Sequence, residues 1–437
     1  MKLRHVIIIT AFIFLSAIQI VAVEIPLNIE TAVSLALRNN LGLKADRIDL
    51  ETRKRAKQNS WNEFLPSVNL GVGLTHSGGA STTTAATSGS SPLDMSASIT
   101  ASLPLSSANV HSLQNTKLTY EAEEISLEEA EKQLKRDVKK TFYNLILLGE
   151  KIRLIDQNIE TAEKRYEQAK ANYENGIVSE LTVLSAQVTL ENLKPDLEEA
   201  EVTYTIAELQ FKQVLGLGRD SSLSLEGSIE PEALSLESEI LSQEYVSNRL
   251  DVQGILKAIE ILETKRKLTS AEEYTPTLSL SYSFRAGVND PFRADWGSAG
   301  SWSGSSTFGI SLSFPLDGFI PGSSSNLKIK EMDDSIAKAR LNLTQSMQLA
   351  EVEIESIVLR LDKSLRTLKA LEQNVLLAQK TYDLTEKQYN AGAVDLLDVE
   401  EAYDALQEAK LGVLEERYNY LSGLLDLEYA LNYRLDI

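Results

Sequence analysis

The stretch VNLGVGLT at residues 68–75 decides how this chain folds: Val68, Leu70, Val72 and Leu74 alternate with Asn69, Gly71, Gly73 and Thr75. Successive side chains of a strand point to opposite faces, so the segment has one oily face and one small, wet face. The pattern recurs in three further segments. Met95, Ala97, Ile99, Ala101 and Leu103 alternate with Ser96, Ser98, Thr100 and Ser102. Leu278, Leu280, Tyr282 and Phe284 do so with Ser279, Ser281, Ser283 and Arg285, and Phe308, Ile310, Leu312 and Phe314 with Gly309, Ser311 and Ser313. These runs predict strands over 67–76, 95–103, 277–286 and 307–314. A β-sandwich reads the same way from alternation alone, so the surroundings decide.

Those surroundings are helical and doubled. From 107 to 174 no proline intervenes, and Leu145, Leu148, Ile152, Ile155, Ile159, Ala162, Tyr166, Ala169 and Tyr173 keep alternating spacings of three and four, a sustained coiled-coil seam. Its counterpart over 324–390 carries Leu361, Leu368, Leu371, Val375, Ala378, Tyr382 and Tyr389, with Ser364 and Thr385 as weaker members. At 1.5 Å per residue each helix rises about 100 Å. Return helices are expected over 179–215 and 395–432, the first kinked or split into two by Pro195. Tyr166, Tyr173, Gly176, Val178, Val183 and Ala186 match Tyr382, Tyr389, Gly392, Val394, Val399 and Ala402 at one constant offset. The chain therefore reads as two structural repeats, 24–230 and 231–437, each made of helix, strand, loop, strand, long helix, tip and return helix. A small mixed belt segment near 216–242 joins them.

Residues 1–23 have the form of a secretory signal peptide: Lys2 and Arg4 precede the apolar run VIIITAFIFLSAIQIVAV. Beyond it no apolar stretch approaches the ~20 residues a spanning helix needs, so any membrane passage must use strands. Backbone groups in lipid must all be paired, which admits a sheet only as a closed barrel, and small bacterial barrels have about eight strands. One chain supplies four, so several copies must contribute to one barrel; three would give twelve strands. The intervening loops, 76–94 and 287–306, are rich in Gly, Ser and Thr, as exposed loops of such barrels are. The net charge of −20 argues against nucleic acid as a partner. Cysteine is absent, and His76 and His111 stand in no ligand pattern, so neither a metal site nor a cofactor is expected.

The doubled strand pair, the long helices and the tip sequences NYENGIVSELTV and QYNAGAVDLLDV together resemble the TolC-like outer membrane efflux proteins over nearly the whole chain after the signal. The resemblance implies a homotrimer: twelve strands in one outer membrane barrel contacting lipid, and the helices in a periplasmic α-barrel. It implies an exit duct for efflux or type I secretion, working with a periplasmic adaptor protein and an inner membrane transporter of RND or ABC type. It also implies that Gly176 and Gly392 sit at the two helix–turn–helix tips that meet the adaptor, with Tyr173, Val178, Tyr389 and Val394 beside them. Each glycine would supply the positive backbone angle that a tight reversal demands. Asp398 and Glu401 occupy the family positions that ring and narrow the pore; their spacing of three places both carboxylates on one helix face. The first half has Thr182 and Ser185 there, so one half alone would supply charge. The sequence departs from the family where an arginine and an aspartate can tie neighbouring helices shut, having Val394 and Thr182. Tyr389 and tip packing are the expected latch instead.

Three other readings compete. An enzyme would need convergent nucleophile, base or metal ligands, and none is visible. A surface-exposed coiled-coil structural or adhesive protein would use the strands as an ordinary soluble hairpin pair, and would not depend on detergent. A diffusion porin would place most of its chain in strands, whereas here helices dominate.

Overall fold

The computed structural model describes residues 25–76, 93–230, 245–289, 291–292 and 294–435. The signal segment 1–23, the loop 77–92 and the belt residues 231–244 lie outside the described residues. The elements in chain order are β1 (Ile25–Leu27), α1 (Ile29–Asn39), α2 (Leu41–Gln58), β2 (Ser67–His76), β3 (Leu93–Leu105), α3 (Ser107–Glu174) and α4 (Glu180–Leu215). There follow β4 (Leu223–Leu225), α5 (Leu250–Tyr274), β5 (Thr277–Asn289), β6 (Trp302–Ser313), α6 (Ser324–Asn390) and α7 (Leu396–Leu431). The architecture is mainly helical with four long strands, as the sequence predicts. Among the described residues no helix is long and apolar enough to cross a membrane.

The chain divides into two compact units, and each draws segments from both halves. One comprises residues 1–47, 127–250 and 347–437, the other 48–126 and 251–346.

The second unit contains a four-stranded antiparallel sheet in the order β2-β3-β5-β6. Its register puts Val68, Ala101, Tyr282 and Phe308 in one row across the sheet, and Gly71, Ser98, Arg285 and Ser305 in a row on the opposite face. Every strand thus turns its oily residues the same way. Among the described residues nothing covers that face: Leu70 is 72% exposed and Phe308 67%. The outer edges of β2 and β6 have no partner strand among the described residues, so the sheet ends in two rows of open hydrogen-bonding groups. β3 and β5 exceed the predicted spans at both ends or one, because Leu93–Asp94 and Gly287–Asn289 continue the ladder past the strict alternation. β6 begins at Trp302, five residues ahead of the predicted start, pairing through Ser303, Gly304, Ser305 and Ser306, whose small side chains carry no pattern.

The first unit is built on two matching cores. In the first, α3 and α4 bury Val138, Phe142, Leu145, Phe211 and Leu215 against Leu27 of β1 and Ala32 and Ala36 of α1. In the second, α6 and α7 bury Ile354, Ile357, Leu361, Tyr420, Leu424 and Leu427. A short parallel pairing of β1 with β4 completes the belt. All the predicted seam positions from Leu361 to Tyr389 are buried or half-buried. α3 also buries Leu147 and Leu154, which lie off its predicted seam. Leu147 packs with Ile229 and with Leu421 of α7, so this helix presents apolar surface on more than one side.

Pro195 does not split the return helix: α4 is one continuous helix through it. The proline lacks one N–H and crowds the carbonyl of Glu191. Buried Leu190 and Ala200 anchor the helix on either side, and this packing outweighs the local cost.

Candidate functional site

The two helical tips are where the sequence places function, and the structure builds them alike. Two residues past the end of α3 stands Gly176, with φ 72°, and two past the end of α6 stands Gly392, with φ 73°. At the first, the Gly176 N–H donates to the Tyr173 carbonyl at 2.9 Å and the Ile177 N–H to the Asn172 carbonyl at 2.8 Å. At the second, Gly392 donates to Tyr389 at 2.9 Å and Ala393 to Gln388 at 2.9 Å. These paired bonds satisfy the last carbonyls of each long helix, and the left-handed angle they need is one that glycine reaches without a Cβ penalty. The expected positive angles are therefore present at both positions.

The return helices restart with side-chain caps. Ser179 Oγ accepts from the Thr182 N–H at 3.3 Å to start α4. Asp395 caps α7, and Asp398 answers by accepting from the Asp395 N–H through Oδ2 at 3.1 Å, a capping box. Asp398 thus orders the helix start, and it remains exposed together with Glu401 one turn on, while Leu396 and Val399 are buried. Behind the turns, Ala169 and Ala186 of the first half pack with Leu396 of the second, and Tyr166, Val183 and Tyr389 border them. Of the predicted tip residues, Tyr389 alone borders this cluster, which packs the two halves together just behind the turns. Tyr173 is exposed, Val178 and Val394 are half-buried, and the hydroxyl of Tyr389 has no hydrogen bond among the described residues.

A polar cluster between the halves was not anticipated. The Arg165 guanidinium lies 4.6 Å from the ring centre of Tyr403 and 5.7 Å from that of Tyr382, and it donates to the Tyr382 hydroxyl at 3.3 Å. Tyr403 in turn donates its hydroxyl to Thr161 Oγ1 at 3.1 Å. Glu400, which reads in sequence as part of a solvated acidic face, is 7% exposed and accepts from Thr189 Oγ1 at 3.3 Å. Its one legible signal is its place a turn after buried Leu396, on the helix face that packs inward.

Burial pushes the Glu400 carboxyl above the ordinary carboxylate range, opposed by the Thr189 hydrogen bond and the Arg165 charge. Burial likewise raises Asp404, again opposed by Arg165. Folded Glu400 therefore holds its proton to a higher pH than the unfolded chain does, and its contribution to stability falls as pH rises through that window. Glu400→Gln keeps an oxygen to accept from Thr189 and removes the charge. Denaturant midpoints in detergent should match the parent at pH 4 and exceed it increasingly towards pH 8; parallel pH profiles for the two proteins would contradict this account.

Among the described residues no group of His, Cys, Asp or Glu is arranged to hold a metal.

The outer membrane efflux protein family model matches residues 32–217 and 241–433. TolC of Escherichia coli strain K12 is 27% identical over 128 residues, covering 29% of this chain and 25% of TolC. Nodulation protein T of Rhizobium leguminosarum bv. trifolii is 21% identical over 302 residues, covering 68% of this chain and 63% of that protein. The matched stretches thus span a quarter to somewhat under two thirds of these curated relatives. The crystal structure of the CmeC outer membrane channel of Campylobacter jejuni superposes with a TM-score of 0.77 at 17% identity, over 92% of this chain and 85% of that one. Channels of this family are trimeric parts of tripartite efflux systems. With both of its halves matched by the family model, this chain belongs to the outer membrane efflux proteins.

Proposed function

We propose that three copies of this chain close into one passive exit duct through the outer membrane. The observation that carries this reading is the four-stranded sheet: among the described residues its oily face is uncovered and both its edges are open, and it is continuous in sequence with helices of 68 and 67 residues. In lipid such edges must be paired. Pairing β6 of one copy with β2 of the next supplies that, and three copies of four strands give a twelve-stranded barrel with apolar residues outward.

In this reading residues 1–23 direct export and are removed, and 24–230 and 231–437 are the duplicated halves. The tips at Tyr173, Gly176, Val178 and Tyr389, Gly392, Val394 meet a periplasmic adaptor, which links the duct to an inner membrane transporter of RND or ABC type. The duct hydrolyses nothing; the transporter supplies the energy. Opening is a population shift that the adaptor drives by binding the open tips more tightly. Tyr389, with its hydroxyl unengaged among the described residues, is the latch to a neighbouring copy in this reading.

Asp398 and Glu401 ring the tip and favour cations. The test is the reversal potential of single channels in planar bilayers under a potassium chloride gradient. Asp398→Asn combined with Glu401→Gln keeps an acceptor for the Asp395 N–H, so the helix start survives while two charges per copy disappear. The cation preference should fall by about tenfold, as removal of ~1.4 kcal/mol of favourable interaction would produce. An unchanged reversal potential removes these two residues from the constriction.

A further inference from the structure

Arg285 stands alone on the wet face of the sheet. The rows of that face read Ser67, Ser102, Ser281, Gly309; Asn69, Thr100, Ser283, Thr307; Gly71, Ser98, Arg285, Ser305; and Gly73, Ser96, Gly287, Ser303. Hydroxyls and glycines line it throughout, and Arg285 is the one cation among them. Its Nη2 donates to the neutral Ser96 Oγ at 3.1 Å, and among the described residues it forms no ion pair. The side chain is exposed. The other charge among the described residues of this face, Asp94, lies one row beyond the Ser96 hydroxyl that the guanidinium reaches, roughly 7 Å further along the strand at 3.4 Å per residue, and forms no ion pair with it.

A charge in the middle of a lipid-crossing strand is tolerated when it faces the water-filled interior, and the opposite face here is the oily one. Closure by three copies then sets three guanidinium groups at one level of the lumen. Around them Gly71, Gly73 and Gly287 carry no side chain, so the guanidinium heads are not screened by bulk. Guanidinium donors form paired, charge-assisted bonds to phosphate and carboxylate oxygens, and with no ion pair among the described residues Arg285 has donors available. Rings of arginine are how pores bind anions.

We propose that Arg285 forms an anion-binding site within the barrel lumen that takes solutes carrying several phosphate or carboxylate groups. This rests on the duct reading above and adds to it a site of opposite sign to the acidic tip. Passing solutes meet a cation-favouring constriction in the periplasm and an anion-holding ring within the membrane. Multiply anionic cargo is retained there transiently, and multiply cationic cargo is not.

Inositol hexakisphosphate added on the loop side of single wild-type channels in planar bilayers tests it, with spermine as the cationic control. The polyphosphate should interrupt the current at concentrations where spermine on that side does not. Arg285→Ser, which matches the serines around it, should raise the half-blocking concentration by about tenfold or more, while Arg285→Lys retains most of the block. Open conductance close to that of the parent shows that the variant barrel is intact. The same half-blocking concentration for Arg285→Ser and parent, or no block of the parent, overturns the site while leaving the duct standing. Absence of any conductance from the parent overturns the duct, and this site with it.

Discussion

Leu70→Arg should abolish assembly in the outer membrane, whereas Asn69→Arg, one residue away, should leave it intact. The two side chains share a strand and an exposure to their surroundings but face opposite ways: Leu70 lies in a row with Ile99 and Phe284, Asn69 with Thr100, Ser283 and Thr307. An arginine at mid-depth on the lipid face costs about 2–4 kcal/mol per copy, hence about 6–12 kcal/mol across three. That is comparable with the whole stability of a typical folded domain, ~5–15 kcal/mol. On the lumen face the same side chain stays in water. The measurement is the amount of detergent-resistant trimer recovered from the outer membrane fraction. Equal recovery of the two variants would mean that the alternation does not sort lipid from water.

Phe211→Ala should cost about 3–5 kcal/mol. Phe211 is fully buried, 6.4 Å from the ring of Phe142, in the core where β1 and α1 join α3 and α4. Little nearby can collapse into the space, since its neighbours are strand and helix residues held from both sides. Denaturant titration of the detergent-solubilised protein gives the midpoint shift. Val202, 59% exposed on the same helix, is the matched control, and its replacement by alanine should move the midpoint of the isolated chain far less. A Phe211→Ala midpoint as close to the parent as that control would show that this core does not hold the first unit together.

What could be read from sequence followed from periodicity. The strand pattern survives folding because a period of two fixes which face each residue takes, and the tip glycines survive because a Schellman turn admits few other residues. β1 and β4 were illegible because three residues carry no period. The belt strands exist only because distant segments meet. Of the two outcomes expected at Pro195 the split does not occur, because the packing of Leu190 and Ala200 carries one helix through it. The burial of Glu400 was not legible, because beside Asp398 and Glu401 it looks like any exposed carboxylate, and burial is a property of its neighbours, not of its own chemistry. Arg165 gave no signal, since its aromatic partners Tyr382 and Tyr403 lie in the other half of the chain.

The interleaving of both halves in each compact unit bears on how the polypeptide is made. The core of Ile354, Ile357 and Leu361 is closed by Tyr420, Leu424, Leu427 and Leu431, near the end of the chain. Synthesis runs from the amino-terminal side, so this core stays open until residues 420–431 have been made. A chain made only as far as residue 400 consequently has the apolar faces of Ile354, Ile357 and Leu361 without their cover.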